Sequence, residues 1–541
     1  MNSNGYVNDN GIIGTIKLLH EEEERTNTGD VYVLGVDFGT TTVRCQVFDR
    51  HSNIVGSARQ KVQLHCPQDH TIELIPDTVW AQFTTVVKQA ISDANISVKN
   101  VACMGISVQR ATITLWDRHT GTHYCNFISW NDTRAEPYAN VINQSLSFKG
   151  LGTGAKLLHI LTRQKRWEAA SAFHFQSQHA ILRLAWLLNN NQEMKSEAKA
   201  GNVLFGTLET WLVWKLTGGK VHATEPSNIC ATVLYDVFKR DWNNIHINYF
   251  GIPHSILPEL KDTSDDFGVC EEEIFGGPIP IHACVGDQQA AMFGQCCFDE
   301  GDIKVTMGTG TFINLTTGAY PCVPTLGTYP MVGWKIGSEV SYTMEAMDSD
   351  SGTVLTWLES AGFISKPEDS QAAATRVKSS NGLCFIPAFS GLQSGINDNT
   401  ACCCLINITP AIKQEHIVRA ALESLAFRVV QIFNTLENKT NIKISDTVKF
   451  DGGVSNSDFV LQLVSSLLNK KVDRPDNLDM SCLGAAFLAG LKAGVWKSKE
   501  ELKAVRKTKN VFKPKADVQN DYKPTFKQWA KAARRSMNWN I

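Results

Sequence analysis

Residues 34–49, LGVDFGTTTVRCQVFD, decide the fold of this chain. Apolar residues alternate at period two on both sides of a Gly-Thr-Thr-Thr turn, which predicts a β-hairpin with Asp37 and Gly39 at its tip. Gly39 permits close approach to the backbone, so successive N–H groups and the neighbouring hydroxyls can hold phosphate oxygens. Those hydroxyls belong to Thr40, Thr41 and Thr42. Taken alone, the stretch also fits an ordinary Gly-Thr hairpin.

Asp37 adds a metal requirement to this hairpin. Its carboxylate would repel phosphate groups unless a divalent cation lay between them. Magnesium commonly binds through one or two carboxylates, water molecules and substrate phosphates. The motif therefore predicts a nucleoside triphosphate with Mg²⁺, and the ion is expected to be held by Asp37 partly through water.

Two further motifs repeat and extend this plan. Residues 303–315, IKVTMGTGTFINL, predict a second hairpin with its tip at residues 308–310. Two such hairpins predict two related domains. Residues 448–461, VKFDGGVSNSDFVL, predict a strand that ends at Asp-Gly-Gly and leads into a helix, where a base or ribose can lie against bare backbone. Each motif is common by itself, but their order and spacing are specific.

Length and composition favour a two-domain cytoplasmic protein. A chain of 541 residues with 43% hydrophobic content is long enough for two cores. Its formal net charge of -2 does not indicate a nucleic-acid groove or an anionic membrane surface. No apolar run approaches a membrane span, and the polar start MNSNGYVNDNG lacks a signal-peptide core. The 15 cysteines, without paired metal-ligand spacings, are interpreted as reduced cytoplasmic thiols that mostly fill the core.

The predicted organisation has three parts. Residues 1–30 have low hydrophobicity and a charge run, which favours a flexible or partly helical N-terminal extension. Residues 31–298 are predicted to form a first domain, and residues 299–541 a second one, each with strands alternating with helices. The helices predicted from apolar periodicity lie at residues 80–94, 183–190, 415–436 and 459–468.

Longer motifs accompany the hairpins. They are SVQRATITLW at 107–116, FISWNDTR at 127–134, GTLETWLVWKLTGG at 206–219, VGDQQAAMFGQ at 285–295, MGTGTF at 307–312, FIPAFSGL at 385–392 and SCLGAAFLAGL at 481–491. With them the chain, over roughly residues 31–539, resembles the FGGY carbohydrate kinases of the actin, hexokinase and 70-kDa heat-shock superfamily. Within that family it is most similar to the glycerol kinases, and to a divergent animal branch of them. The resemblance implies an α/β fold of two duplicated ribonuclease-H-like domains around a central cleft that binds ATP, Mg²⁺ and a small polyol.

Asp287 is the candidate general base, the group that orients and deprotonates the attacking hydroxyl. It follows an apolar strand predicted at residues 279–285 and precedes a helix, and the run GDQQAA matches the base motif of the family. The carboxyl end of a strand is also where α/β active sites usually form. The alternative role is helix N-capping, which can coexist with catalysis. The resemblance implies that Gln288 exchanges a hydrogen bond with a second substrate hydroxyl.

Substrate recognition departs from the family pattern at two positions. Glycerol kinases carry Arg-Glu in the strand-end motif, and both side chains bind glycerol, whereas Arg110 is followed here by Ala111. Gln178 stands where the family has a pocket-closing tyrosine. Arg110 remains as a clamp with several donors, and Trp130 remains as an apolar wall. The missing glutamate predicts glycerol binding that is weaker by about tenfold to a hundredfold, or a different substrate.

On the nucleotide side, the resemblance implies contacts from both hairpins and from the Asp-Gly-Gly turn. Arg44 has the alternative of being a surface residue on an exposed strand face. Ser457 occupies the position that usually holds an asparagine near the adenine, and Asn456 lies one place earlier. The residues implied to meet ATP are Thr40, Thr41, Thr42, Arg44, Gly308, Thr309, Gly352, Gly453 and Ser457.

The leading prediction is ATP-dependent phosphorylation of glycerol to sn-glycerol 3-phosphate in the interdomain cleft. Two alternatives stay open: a kinase for another small polyol or ketose, and a regulatory protein of the same fold with little turnover. Ala111 and Gln178 favour these alternatives, whereas an intact Asp37, Asp287 and Arg110 disfavour the regulatory one. The expected partner is the polyol, with no nucleic acid and no membrane. Further copies of the chain are expected by resemblance, because family members dimerise or tetramerise.

Overall fold

The computed structural model describes residues 31–323 and 327–539, so the predicted N-terminal extension lies outside the described residues. In chain order the first half contains β1 Tyr32–Phe38, β2 Thr42–Phe48, β3 Ile54–Lys61, β4 Glu73–Leu74, α1 Pro76–Asp93, β5 Val101–Val108, β6 Ile113–Asp117, β7 Phe127–Ile128, α2 Glu136–Gln144, α3 Leu146–Thr162, α4 Lys165–Ser171, α5 Ala180–Asn190, α6 Gln192–Ala200, β8 Val203–Thr207, α7 Leu208–Leu216, β9 Ala223–Thr224, α8 Pro226–Ile229, β10 Tyr235–Asp236, β11 Asp241–Trp242, α9 Asn244–Phe250, β12 Glu259–Leu260, α10 Glu272–Phe275, β13 Ile281–Gly286 and α11 Asp287–Gly294. The second half contains β14 Ile303–Met307, β15 Thr311–Gly318, β16 Thr328–Ile336, β17 Glu339–Asp348, α12 Gly352–Ser360, α13 Ser370–Ala374, β18 Cys384–Ile386, β19 Cys404–Ile406, α14 Gln414–Thr440, β20 Thr447–Asp451, α15 Asp458–Leu468, β21 Lys471–Pro475, α16 Met480–Ala493, α17 Lys499–Val505, β22 Thr508–Phe512 and α18 Ala516–Ser536.

Two sheets with the same strand order form the framework. The first has the order β13-β5-β1-β2-β3, with β1, β2 and β3 antiparallel and with β5 and β13 parallel to β1. The second repeats this order as β21-β20-β14-β15-β17, and β16 and β22 extend its edges. In each sheet the first two strands form a hairpin, which confirms both predicted hairpins and the duplicated α/β fold.

Two helices, α11 and α16, pack against each other and hold the two sheets together. Their backbones approach so closely that a Cβ added to Gly484 would lie 1.7 Å from the carbonyl oxygen of Ala290. Helix α16 also crosses the first sheet, where a Cβ on Gly35 would lie 2.0 Å from the carbonyl oxygen of Cys482. Residues at the start of α16 therefore reach the first hairpin, although they come from the second half of the chain.

A smaller sheet, ordered β4-β7-β6-β8, is inserted in the first half and lies beside the cleft. The turn between β5 and β6 contains Arg110 and Ala111, and Trp130 follows β7. The guanidinium of Arg183 on α5 donates to the carbonyl oxygens of Ala111 at 2.7 Å and Gln178 at 3.0 Å. This fully buried arginine thus brings two distant chain segments together beside the cleft.

The predicted helices are present with shifted ends. Helix α1 begins at Pro76 rather than at residue 80, because proline is favoured in the first turn of a helix. Its buried residues recur every three or four positions, as at Val79, Phe83, Val86 and Ala90, and they pack on β2 and β3. Helices α5, α14 and α15 confirm the other three predicted segments.

The cysteines agree with a role in core packing. All are free thiols within the described residues, and most are buried or partly buried. Cys45, Cys284 and Cys482, for example, lie among the buried residues of the first sheet and α16. Within residues 31–323 and 327–539, no helix has both the length and the apolar composition needed to cross a bilayer.

Candidate active site

The cleft between the two sheets is a continuous cavity of about 1830 Å³. The tips of both hairpins, the start of α11 and the turn after β20 all face it. Two residues implied by resemblance, Gly352 and Ser457, do not line it. The predicted residues that do line it are Asp37, Thr40, Thr41, Thr42, Arg44, Arg110, Ala111, Trp130, Gln178, Asp287, Gln288, Gly308, Thr309 and Gly453.

Backbone hydrogen bonds close the two hairpin tips. The N–H of Gly39 donates to the carbonyl of Thr42 at 3.1 Å, and that of Gly308 donates to Gly310 at 2.9 Å. Gly352 lies behind the second tip, where its N–H donates to the carbonyl of Gly308 at 2.9 Å. A Cβ at position 352 would lie 2.7 Å from that oxygen, so Gly352 supports the tip instead of facing the cleft.

Arg44 is bound by a residue that the sequence analysis missed. Its Nη1 donates to Asp479 Oδ1 at 2.5 Å and lies 3.9 Å from Asp37 Oδ2. Asp479 immediately precedes α16, whose packing on the first sheet brings it beside the hairpin. The guanidinium therefore lies over the first hairpin and faces the cleft, half-buried between two acids.

Asp37 is nearly buried, and its carboxylate accepts a hydrogen bond from Ser107 Oγ at 2.9 Å. Burial, together with the nearby charges of Asp287 and Asp479, raises its pKa to about 7 against the opposing charge of Arg44. A divalent cation would relieve this crowding of acids. In the described part of the chain, no group of three or more His, Cys, Asp or Glu side chains forms a metal cage. Asp37, as a single carboxylate whose burial raises its pKa, fits Mg²⁺ bound chiefly through water and phosphate.

Asp287 is the first residue of α11, directly after β13. Its Oδ1 accepts the N–H of Gln288 at 2.7 Å and lies 3.3 Å from Nε of Arg110. Burial raises the pKa of Asp287, Glu345 raises it further, and Arg110 opposes both. The alternative role of N-capping is wrong, because Gly286 is the N-cap of α11 and no side chain caps this helix, whereas Asp287 lines the cleft.

Arg110 meets a second carboxylate, Glu345, which sequence reasoning also missed. Nη2 of Arg110 donates to Glu345 at 2.9 Å, and Nδ2 of Asn314 donates to the other side of the same carboxylate at 2.9 Å. Glu345 is buried and comes from β17 in the second sheet. The buried Nη1 of Arg110 has no hydrogen-bond partner within the described chain.

The residues around Arg110 leave space at the acceptor end. Ala111 adopts a left-handed backbone with φ of 59° and contributes no polar group to the cavity. Gln178 is its neighbour on the cavity wall. The guanidinium of Arg183 connects the two residues by donating to the backbone carbonyl of each. Trp130 lies between the acceptor and phosphate ends, because its Nε1 donates to Oγ1 of Thr40 at 2.9 Å.

Gln288 is oriented by a buried lysine. Nζ of Lys304 donates to Oε1 of Gln288 at 2.8 Å, and the lysine is fully buried on β14. Burial lowers the pKa of Lys304, while the charges of Asp451, Glu345 and Asp287 oppose that shift. Since the side-chain oxygen of Gln288 accepts from Lys304, its amide N–H groups are the ones available to a substrate. The sequence signal that could have revealed this contact was the lysine at position 304 in a largely apolar strand.

The turn after β20, which the sequence analysis assigns to the nucleotide, lines one part of the cavity. Gly452 has φ of 85°, and a Cβ there would lie 2.6 Å from the carbonyl of Met307, whereas a Cβ on Gly453 would meet nothing within 4 Å. Gly453 therefore presents open backbone to the cavity. Ser457 points elsewhere, since its hydroxyl donates to Oε1 of Gln371 at 3.1 Å. Asn456 lines the cavity one residue earlier.

Comparisons with known proteins agree with this geometry. Among relatives, glycerol kinase 5 of Homo sapiens is 44% identical over 96% of this chain and 99% of its own length. Glycerol kinase of Francisella philomiragia is 34% identical over 94% of this chain and 99% of its own length. The crystal structure of Plasmodium falciparum glycerol kinase with ADP matches with a TM-score of 0.82 at 28% identity, over 94% of this chain and 98% of that chain.

A solved xylulose kinase from Lactobacillus acidophilus, with ligand bound, matches with a TM-score of 0.77 at 20% identity over 93% of this chain and 98% of that one, which shows the shared fold alone. The model of the N-terminal domain of the FGGY family of carbohydrate kinases matches residues 32–294. The model of the C-terminal domain of the same family matches residues 303–493. The chain therefore belongs to the FGGY family of carbohydrate kinases and is an ATP-dependent carbohydrate or polyol kinase.

Proposed function

We propose that this kinase transfers the γ-phosphoryl group of ATP to a primary hydroxyl of glycerol and forms sn-glycerol 3-phosphate. The observation that carries the proposal is the convergence of Asp287, Arg110 and Gln288 in the cleft that both hairpin tips also line. Asp287, Arg110 and Gln288 suit a hydroxyl acceptor, and the two hairpin tips suit phosphates. Relatives named glycerol kinase, one of them solved with ADP, support the same reaction.

In this proposal Asp287 accepts the proton of the attacking hydroxyl. A bond forms between the acceptor oxygen and the γ-phosphorus, and the bridging β,γ P–O bond breaks, so that ADP leaves with the electron pair. Arg110 and the amide of Gln288, which both line the cavity, hold the acceptor hydroxyls. The raised pKa of Asp287 suits a general base, because a base transfers protons most effectively when its pKa lies nearer to the operating pH.

The hairpins hold the phosphates in this account. Thr40, Thr41, Thr42 and Thr309 line the cavity and offer hydroxyl donors, while the N–H groups of Gly39 and Gly308 close the hairpin tips. Asp37 would hold Mg²⁺ through water, and the ion would neutralise the phosphate charge. Asn456 replaces Ser457 as our candidate for the adenine end, since Asn456 lines the cavity. The free thiols support action in a reducing compartment, the cytoplasm.

A second acceptor class is favoured by the space beside Arg110. Ala111 supplies no carboxylate, and Gln178 stands where the family has its pocket-closing tyrosine, so a larger polyol or a ketose also fits. A protein without turnover is disfavoured, because the base, the clamp and both hairpin tips are all present. Homo-oligomers remain a prediction from the resemblance.

A substrate panel tests the proposal. Purified full-length protein is incubated with γ-labelled ATP, Mg²⁺ and glycerol, dihydroxyacetone, a tetrose or a pentulose in turn, and labelled products are separated. The proposal expects label in glycerol 3-phosphate. Label in another acceptor alone would support the second class, and no label in any acceptor would overturn the kinase proposals.

A further inference from the structure

The cavity extends beyond the residues that the sequence analysis assigns to the acceptor and the nucleotide. From Ala111 and Gln178 it continues along α3 and α4, forming what we call the apolar arm, lined within residues 148–174 and 231–246. Sites for drug-sized ligands usually have volumes of about 300–1,000 Å³. The whole cavity, at about 1830 Å³, is larger. The arm is lined by Phe148, Leu151, Leu158, Trp167, Phe173 and Ile245.

Three glycines of α3 widen this arm. Gly150, Gly152 and Gly154 all line the cavity. A Cβ at Gly150 or Gly154 would meet nothing within 4 Å, and at Gly152 the nearest atom is 3.9 Å away. Glycine weakens a helix interior, and no close backbone contact requires it at these positions. The missing side chains therefore leave width along the wall of the arm.

The arm carries no unbalanced charge. Apart from imidazole rings, its charged side chains among the described residues are Arg166 and Asp236, which pair at 2.7 Å. Burial lowers the pKa of His246 to about 4, and that of His179, at the entrance, to about 3. Both rings are therefore neutral near pH 7. A charged ligand finds no unpaired carboxylate, ammonium or guanidinium group in the described part of the arm, whereas a hydrocarbon chain finds aliphatic and aromatic walls.

The arm joins the acceptor end directly. Phe173 stacks on His179, with ring centroids 5.3 Å apart, and His179 lies next to Gln178 at the cavity wall. A molecule whose hydroxyl lies at Asp287 can therefore extend past Ala111 into the arm. The glutamate expected at position 111 would narrow this passage and place a charge in it.

We propose that the preferred acceptor is a polyol that carries a hydrocarbon chain, of the monoalkyl- or monoacylglycerol class, with its free primary hydroxyl at Asp287 and its chain in the apolar arm. This inference rests on the proposed function and names its substrate class. The chemistry is unchanged: the acceptor oxygen bonds to the γ-phosphorus, ADP leaves, and Asp287 takes the proton. The chain itself does not react.

A chain-length series provides the first test. Turnover of full-length protein is measured with glycerol and with 1-O-butyl-, 1-O-hexyl- and 1-O-octylglycerol, all below their micelle concentrations. Full burial of one methylene strengthens binding about fourfold. Because hexylglycerol carries six more carbons than glycerol, even partial burial of its chain should raise kcat/KM at least about tenfold over that for glycerol. A kcat/KM that stays flat or falls with chain length would overturn the inference.

Two substitutions on α3 form the second test. Leu158→Lys places a charge in the arm at a partly exposed position, where folding tolerates it. It should lower the ratio of kcat/KM for hexylglycerol to that for glycerol at least about tenfold. Leu157→Lys is the matched control, because Leu157 is 58% exposed and does not line the cavity. The control should keep the wild-type ratio.

The outcomes separate this inference from the proposed function. Equal ratios in both variants and wild type would show that the arm does not select the acceptor. Turnover of glycerol with no preference for longer chains would overturn this inference alone. No turnover of any acceptor, including the ketoses of the substrate panel, would overturn the proposed function and this inference together.

Discussion

Arg110 in the first half of the chain and Glu345 in the second are joined by a hydrogen bond of 2.9 Å between Nη2 and the carboxylate. Arg110 also lies 3.3 Å from Asp287, the proposed base. The acceptor site is thus assembled from both sheets. We infer that Glu345 positions Arg110, and that the position of the second sheet affects acceptor binding through this pair.

Replacing Glu345 tests this positioning. Glu345→Gln keeps the shape and a hydrogen-bonding oxygen but removes the charge that faces Arg110. We expect the acceptor KM to rise about tenfold, because a hydrogen bond to a charged group contributes roughly 1.5–3 kcal/mol, while the KM for ATP changes little. Initial rates with each substrate varied in turn measure both constants. Glu359→Gln, at an exposed position of α12, is the control. Equal changes in both KM values would contradict a role at the acceptor end.

The pH profile tests the environment of Asp287. A base must be ionised, so kcat/KM falls as the pH drops through its pKa. Burial and Glu345 raise that pKa, which places the acid limb above the ordinary range of an aspartate. In Glu345→Gln one negative neighbour is lost, and the limb should move to lower pH. An acid limb that stays in place in this variant would show that another group controls it.

Asp37→Ala tests the metal site. The buried carboxylate has no role at the acceptor end in this account, and it should act through Mg²⁺ bound to the phosphates. We expect weaker productive use of Mg-ATP with nearly unchanged acceptor affinity. Calorimetric titration with Mg-ATP, beside initial rates, measures this. If affinity and turnover both match those of the wild type, Asp37 does not belong to the site.

Ala111→Glu tests the departure from the family pattern. The new carboxylate could pair with Nη1 of Arg110, which lacks a protein partner, and accept a glycerol hydroxyl. If glycerol is the substrate, its KM should fall about tenfold or more. If Ala111 provides passage to the apolar arm, activity on longer acceptors should be lost instead. Kinetics on glycerol and on hexylglycerol separate these results, and no change on either would place Ala111 outside the acceptor site.

Local patterns were sufficient to predict much of the fold. The period-two alternation around two glycine turns predicted both hairpins, and apolar periodicity predicted helices α1, α5, α14 and α15. Turn chemistry and side-chain period act over a few residues, so one sequence can reveal them. Helix ends were less predictable, as the start of α1 at Pro76 shows.

The partners of the predicted site residues were not predictable in this way. Glu345 and Asp479 reach Arg110 and Arg44 from 235 and 435 residues away, through sheet and helix packing that the sequence pattern does not specify. Ser457 illustrates the same limit, because the short helical turn at Gly453–Asn456 rotates its hydroxyl toward Gln371. Residue identity pointed to a turn that lines the cavity, but only the packed structure decides which side chain faces the cleft.

Transfer of labelled γ-phosphate from ATP to glycerol and hexylglycerol, by wild type and Asp287→Asn, tests the central claim most directly. The account predicts acceptor phosphorylation by the wild type, and a kcat lower by roughly 10²–10⁴ in the variant with ATP affinity nearly intact. Asn keeps the size of the side chain, so calorimetric ATP binding serves as the folding control. Near-normal phosphorylation of either acceptor by Asp287→Asn would contradict the account, since the proton would then have another acceptor.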